Sequence, residues 1–247
     1  MTLSLEVYTN SIQEHSEALA RLAPRAMDLP VEHCPGWSVE DLLRHLTEVH
    51  WFWATIVELR LDTRPEEGRP VDLPRSALVE RFLLGAHRLV DVLRSANQSD
   101  HVWTWAPSQQ NVAFVTRHQV QEIAVHHWDV AYALGEDLVV AGDVAADAIE
   151  EFLTFSVSNA SDPAEPSRPS LNGSLSLLCT DLDVGWTVRD ASVPGTVEFG
   201  VGTESGVPTL SASSSDLLLW LYSRVPVSGD AETNALGERL HALCFTD

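Results

Sequence analysis

At 247 residues the chain has room for one large domain or two modest ones, with ample core in either case. Fifteen basic residues against 36 acidic ones leave a formal charge of −21 and a pI near 4.6, which argues against nucleic acid and anionic membrane surfaces as partners. Every basic residue is arginine, so lysine Schiff-base chemistry and a P-loop lysine are excluded.

The N-terminal stretch MTLSLEVYTNSIQEHSEALARLA places acids and polar residues at helical spacing and lacks a basic, apolar leader. Leu5, Tyr8, Ile12, Leu19 and Leu22 form the expected inner face of a first helix over 4–22. Pro24 and Pro30 interrupt, and EHCPGW reads as a turn. Ser38 with Asp41 three residues later is a capping-box variant that starts a second helix over about 39–60. Proline and glycine between 65 and 74 break the chain before a third helix over about 75–96, with Leu78, Phe82, Leu89 and Leu93 inward. The loop HVWTWAPSQQ leads to a fourth, TRHQVQEIAVHHWDVAYALG, over 116–135, and a fifth is expected over about 144–158.

Composition then changes. SNASDPAEPSRPSLNG, 158–173, is rich in serine, proline and small residues and reads as a linker. SLSLLCTD, GWTVRD, GTVEFG and PTLSAS alternate like strands, followed by helices in SSSDLLLWLYSR and ETNALGERLHALCF. The expected architecture is an all-α helical bundle over 1–160, a linker over 161–172 and a small α+β domain over 173–247. No apolar run approaches the roughly 20 residues of a membrane span, and a cytoplasmic location is expected. Cys34, Cys179 and Cys244 are widely spaced with no CxxC, which speaks against a disulfide framework or a thiolate zinc site.

The fourth predicted helix carries the chemistry. Glu122 and His126 lie four residues apart, on one face and one turn from each other. Asp129 and His118 fall within roughly 40° of the same line, whereas His127 points well away. A carboxylate and an imidazole suit a divalent transition metal, but two ligands seldom hold one. A facing helix of the bundle offers His45 or His50 as the third. His45, beside Leu42, Leu43 and Leu46, is the better choice, because His50 points about 140° away from it. Asp129 could accept a hydrogen bond from a ligand imidazole or sit at the surface. A core histidine and a plain Glu–His helix pair are the bland readings of the same residues.

CPGWSVEDLLRHL (34–46) together with RHQVQEIAVHHWD (117–129) resembles the DinB-like metal-binding four-helix bundle. It is most similar to the mycothiol-dependent maleylpyruvate isomerase family. Trp37, Ser38, Val39, Asp41, Leu42 and His45 match the first motif; Arg117, Glu122, Val125, His126 and Asp129 match the second. The resemblance implies a divalent metal, usually zinc, on His45, Glu122 and His126. It also implies a sterol-carrier-like C-terminal domain, from SASSSDLLLWLYSRVP followed by GDAE, with Arg224 serving the active site. His118 departs from the pattern, since relatives often carry a second arginine there; it changes the charge presented to a bound thiol. Trp103 and Trp105 lie in a stretch that matches nothing assignable, where they either line a pocket or pack. Cys34 reads as a packed residue rather than a nucleophile.

The leading functional expectation is therefore a metal-dependent enzyme using a low-molecular-weight thiol, with mycothiol the first choice. It would carry out S-transfer or cis–trans isomerisation on a small electrophilic metabolite. Arg117 or Arg224 would hold an anionic part of the thiol or acceptor. The expected partners are that thiol and substrate, in a monomer or homodimer without nucleic acid or membrane. Two alternatives stand beside it. One is a metal-dependent hydrolase of an amide or ester, with Asp129 or His118 as base; the other is a non-enzymatic ligand-binding protein whose metal is structural or lost.

Overall fold

Side-chain caps set the helix starts, and through them the phase of every inward-facing residue. A computed structural model describes residues 2–65, 69, 73–157 and 169–245. Helix α1 (Leu5–Leu22) begins at Ser4, whose hydroxyl accepts from the Val7 amide, and ends in a 3-10 turn at Ala23–Arg25. Helix α2 (Val39–Leu59) starts from the full capping box: the Asp41 amide donates to Ser38 Oγ at 3.2 Å and the Ser38 amide donates to Asp41 Oδ2 at 2.9 Å. Helix α3 covers Arg75–Ser95, and α4 covers Val112–Ala133 behind an Asn111 cap.

Side-chain pairings fix how these four helices run. Arg94 of α3 reaches Thr9 and Asn10 of α1, while His87 reaches Glu17, so α1 and α3 are antiparallel. His15 meets His127, and Arg25 meets Glu136 just beyond α4, so α1 and α4 are parallel. His45 meets Glu122 while Trp53 meets Phe114, which makes α2 and α4 antiparallel. Leu42, Leu43, Leu46, Leu78, Phe82, Leu89, Phe114 and Ile123 are at most 1 % exposed and form the shared core.

The chain divides into two compact units, Thr2–Val139 and Val140–Asp247. This boundary differs from the expected one. Helix α5 (Gly142–Phe155), assigned above to a bundle ending at 160, belongs to the C-terminal unit. Its apolar face, Val144, Ala145, Ala148, Ile149 and Phe152, packs on helix α6 (Ser214–Leu221), and the Phe152 ring meets Tyr222 at 4.9 Å. Amphipathicity declares that a helix has a partner without saying which one. Most of the expected linker, 158–168, lies outside the described residues.

Within the C-terminal unit four strands form one sheet: β1 (Ser174–Cys179), β2 (Gly185–Asp190), β3 (Val197–Val201) and β4 (Thr209–Ala212). The order is β3-β2-β1-β4, with β1–β2 and β2–β3 antiparallel and β1–β4 parallel. Gly185 lets β2 approach closely, since a Cβ there would stand 2.6 Å from the Leu177 carbonyl oxygen. Buried Ser176 and Thr187 satisfy one another across the β1–β2 pair at 2.9 Å. The Asp181 carboxylate accepts from both the Ser214 amide and its hydroxyl at 2.8 Å, fastening the start of α6. Helix α7 (Ala231–His241) packs on β1.

Candidate metal centre

The capping box fixes the register of α2, so His45 emerges from the second turn toward α4. There its Nε2 lies 3.0 Å from Glu122 Oε1, and His126 Nε2 lies 3.7 Å from the same oxygen. One ligand atom from each of the three residues lies within 4.8 Å of the other two. Two nitrogens and an oxygen about 2.0–2.1 Å from one tetrahedral cation would stand roughly 3.3 Å apart, so small side-chain shifts would bring this donor set onto a divalent transition metal. His50, the other candidate, is turned away and 1 % exposed. Its ring stacks on Phe82 of α3 at 5.1 Å and bonds to the Phe82 backbone.

Electrostatics favour a cation here. Burial by itself would raise the Glu122 pKa, but the hydrogen bond to His45 and the positive potentials of His126, His45 and His118 outweigh it and hold the carboxyl at about 2. Glu122 is therefore ionised at any working pH. Behind the centre, Asp129 has a fully buried side chain, and its Oδ2 accepts from His126 Nδ1 at 3.0 Å. That bond fixes the tautomer and leaves the Nε2 lone pair facing Glu122 and His45. Of the two positions open to Asp129, the surface one is not adopted. The His45 side chain is 32 % exposed against 13 % for His126, so the centre opens to solvent on the α2 side.

The loop before α2 wraps this opening. Cys34, Pro35, Gly36 and Trp37 make a type II turn, with the Trp37 amide donating to the Cys34 carbonyl at 3.0 Å and Gly36 at φ +87°. Trp37 lies 5.1 Å from the His45 ring. Cys34 is half-buried and forms a second close group with His126 and Asp129, its sulfur within 4.8 Å of their ligand atoms. Sequence reasoning took Cys34 for packing alone; the signal for its position was the turn that ties it to the start of the ligand-bearing helix. His33 Nδ1 stands 3.8 Å from the other Asp129 oxygen.

Aromatic rings surround His118, one turn before Glu122. Phe114 stacks on it at 5.3 Å, Trp105 meets it edge-on at 5.2 Å, and Trp53 lies 6.3 Å away. Gln121 Nε2 is 3.1 Å from its Nδ1. Trp103 stacks on Trp53 at 6.2 Å and Phe52 meets both rings, so Trp103 and Trp105 do join the surroundings of the ligand helices. Arg117 leaves α4 about 140° around from Glu122, and is not gathered with the three ligands. In the C-terminal unit, Arg224 Nη1 donates to the Tyr222 carbonyl at 2.8 Å and its guanidinium carbon lies 5.8 Å from the Tyr222 ring.

On the far side of α4, His127 Nδ1 meets His15 Nδ1 at 2.9 Å. Burial lowers both imidazoles to about 4, and for His127 the neighbouring His15 and Arg21 add to it.

Comparisons with known proteins bear on the family and the fold. Residues 8–131 match the family model described as the mycothiol maleylpyruvate isomerase N-terminal domain. Two solved structures share the fold: a mycothiol-dependent maleylpyruvate isomerase, at 14 % identity and a TM-score of 0.61, and a histidine-to-alanine mutant of such an isomerase, at 13 % and 0.59. Each comparison covers 94 % of this chain and 97 % of the other. No curated protein matches the sequence.

Proposed function

Since the chain belongs to the mycothiol maleylpyruvate isomerase N-terminal domain family, we propose that it is a metal-dependent enzyme using a low-molecular-weight thiol, mycothiol first, on a small electrophilic metabolite. The observation that carries this reading is the convergence of His45, Glu122 and His126 on one point, with Asp129 locked behind them. A divalent cation there, zinc by the donor set, supplies the positive charge that lowers a thiol's pKa toward neutrality. The protein's own groups do the rest. Glu122 would provide the negative charge, Asp129 holds the His126 proton at Nδ1, and His45 would offer its Nε2 lone pair as the neutral tautomer with its proton on Nδ1. S-transfer and cis–trans isomerisation both need only a thiol held beside an acceptor, and the acceptor decides between them.

The hydrolase alternative needs a base beside the centre. Asp129 is engaged by His126, and His118 Nδ1 by Gln121, which favours the thiol reading. For Arg224 the proposed role is to hold an anionic group of the thiol or acceptor, with Arg117 the weaker choice because of its direction on α4. Lysine should replace Arg224 poorly if the bond is bidentate. The decisive experiment combines elemental analysis with turnover. Protein purified without chelator should carry close to one equivalent of transition metal. Its activity on electrophilic acceptors should require mycothiol, glutathione or cysteine. Turnover unchanged after removal of all thiol would replace this reading with the hydrolase.

A further inference from the structure

From the metal ligands, α2 and α4 continue in the same spatial direction, because they are antiparallel and the ligands sit near opposite ends of each. Two turns past His45, about 10 Å along the axis, comes Phe52, within roughly 20° of the same face. One turn before Glu122 comes His118, and its charge acts on Glu122. The rings along this line fall into two groups. Trp53 and Phe114 are 5 % and 1 % exposed and serve as a floor. Phe52, Trp103, Trp105 and His118 are only half-buried, and the Arg64 guanidinium carbon lies 5.5 Å over the Phe52 ring.

A core built for stability alone covers such rings, because each large aromatic face left in water forfeits its burial energy. Here the half-buried rings meet in two edge-to-face pairs, Phe52 with Trp103 at 5.9 Å and Trp105 with His118 at 5.2 Å, each pair stacked on a buried ring, Trp103 on Trp53 and His118 on Phe114. The line starts at the metal ligands. A flat apolar body suits this surface, since offset and T-shaped ring contacts reward planarity as well as area.

We infer that the acceptor is a planar, conjugated electrophile with an aromatic or similarly flat apolar body, which lies along Phe52 and Trp103 while its reactive end reaches the metal centre. This rests on the thiol-using reading above and names the substrate class that it leaves open. Phe52 and Trp103 are then specificity determinants, and Trp105 and His118 bound the wall nearer the ligands.

The test compares two unsaturated acids that share one reactive group, trans-cinnamate with a phenyl substituent and crotonate with a methyl. Each is titrated by calorimetry into the metal-loaded full-length protein without thiol. Cinnamate should bind at least tenfold more tightly, and the preference should fall to threefold or less in Phe52→Ala or Trp103→Ala. Trp103→Leu keeps apolar bulk while removing the flat face, and provides the same readout if the alanine variant does not fold. Equal affinities in the wild type, or an unchanged preference in every variant, would overturn the assignment. Because no thiol is present, thiol-independent turnover would sink the thiol reading while leaving a cinnamate preference intact. Thiol-dependent turnover with equal affinities would do the reverse.

Discussion

One side of α4 sets Glu122 between two imidazoles, and the other side sets His127 against His15 with no carboxylate between them. The histidines involved are neighbours in sequence, and both meetings are close. On the first side an ionised carboxylate stands beside two imidazole nitrogens, at a point that favours positive charge. On the second, two neutral rings share one proton, and burial keeps both from charging. Histidine count therefore says little about metal binding. The carboxylate between the rings, and the buried Asp129 that aims one of them, make the difference.

The largest effect should come from removing one ring on each side. His126→Ala should lose most of the bound metal, a fall in affinity of at least about a thousandfold, since two ligands seldom retain a transition metal. His127→Ala should keep its metal equivalent and instead lose about 1–3 kcal/mol of stability through the hydrogen bond broken at His15. Elemental analysis and denaturant unfolding separate the two. Equal metal loss in both variants would erase the contrast.

Acid provides a second way to break the comparison. His50 is held at about 4 by burial, against an unperturbed 6.5, and His15 behaves alike. A depressed histidine pKa means that the unfolded chain binds the extra proton first. The neutral form's contribution is complete above about pH 6.5 and is lost as pH falls toward 4, amounting to about 3 kcal/mol at most for His50. Unfolding free energies measured across that window should show the decline, with a shallower slope in His50→Gln. Glu122, ionised down to about 2 in the folded chain, adds a further decline only below about pH 5, where the unfolded carboxyl begins to take up protons.

A smaller effect should sharpen the role of Asp129. Asp129→Asn keeps the shape but loses the charge that holds the His126 proton at Nδ1. Metal affinity should fall about 10–100-fold, with occupancy recovered at saturating metal. Competition with a chromophoric chelator reads this directly, and unchanged affinity would make Asp129 a packing residue only.

The shared face of Glu122, His126 and Asp129 was legible in the sequence because helical spacing alone decides which of His118, Glu122, His126, His127 and Asp129 share a side. The apolar residues Leu42, Leu43 and Leu46 made the inner face of α2 equally readable, and with it the choice of His45 over His50. Contacts that depend on which surfaces meet were not legible. The partner of α5 is α6, yet nothing in its own periodicity distinguishes that from a fifth bundle helix. The His15–His127 meeting depends on the parallel run of α1 beside α4, a relation between segments far apart in the chain. Cys34 came to the centre through a turn whose type was readable but whose direction was not.

That turn has a further consequence, for how fast the centre can exchange what it holds. The loop from Leu29 to Val39 is closed by backbone bonds at several levels: Val31 to the Trp37 carbonyl at 2.9 Å, Trp37 to Cys34 at 3.0 Å, Val39 to Leu29 at 3.0 Å and Glu40 to Met27 at 3.0 Å. A segment tied so often along its length opens only with the helix it precedes. The amides of Val31, Trp37 and Val39 should therefore resist deuterium exchange as long as those in the middle of α2. Trp37 would then be a fixed rim rather than a gate, and arrival and departure at the centre would follow diffusion past a rigid edge, with rates insensitive to solvent viscosity beyond that of diffusion itself.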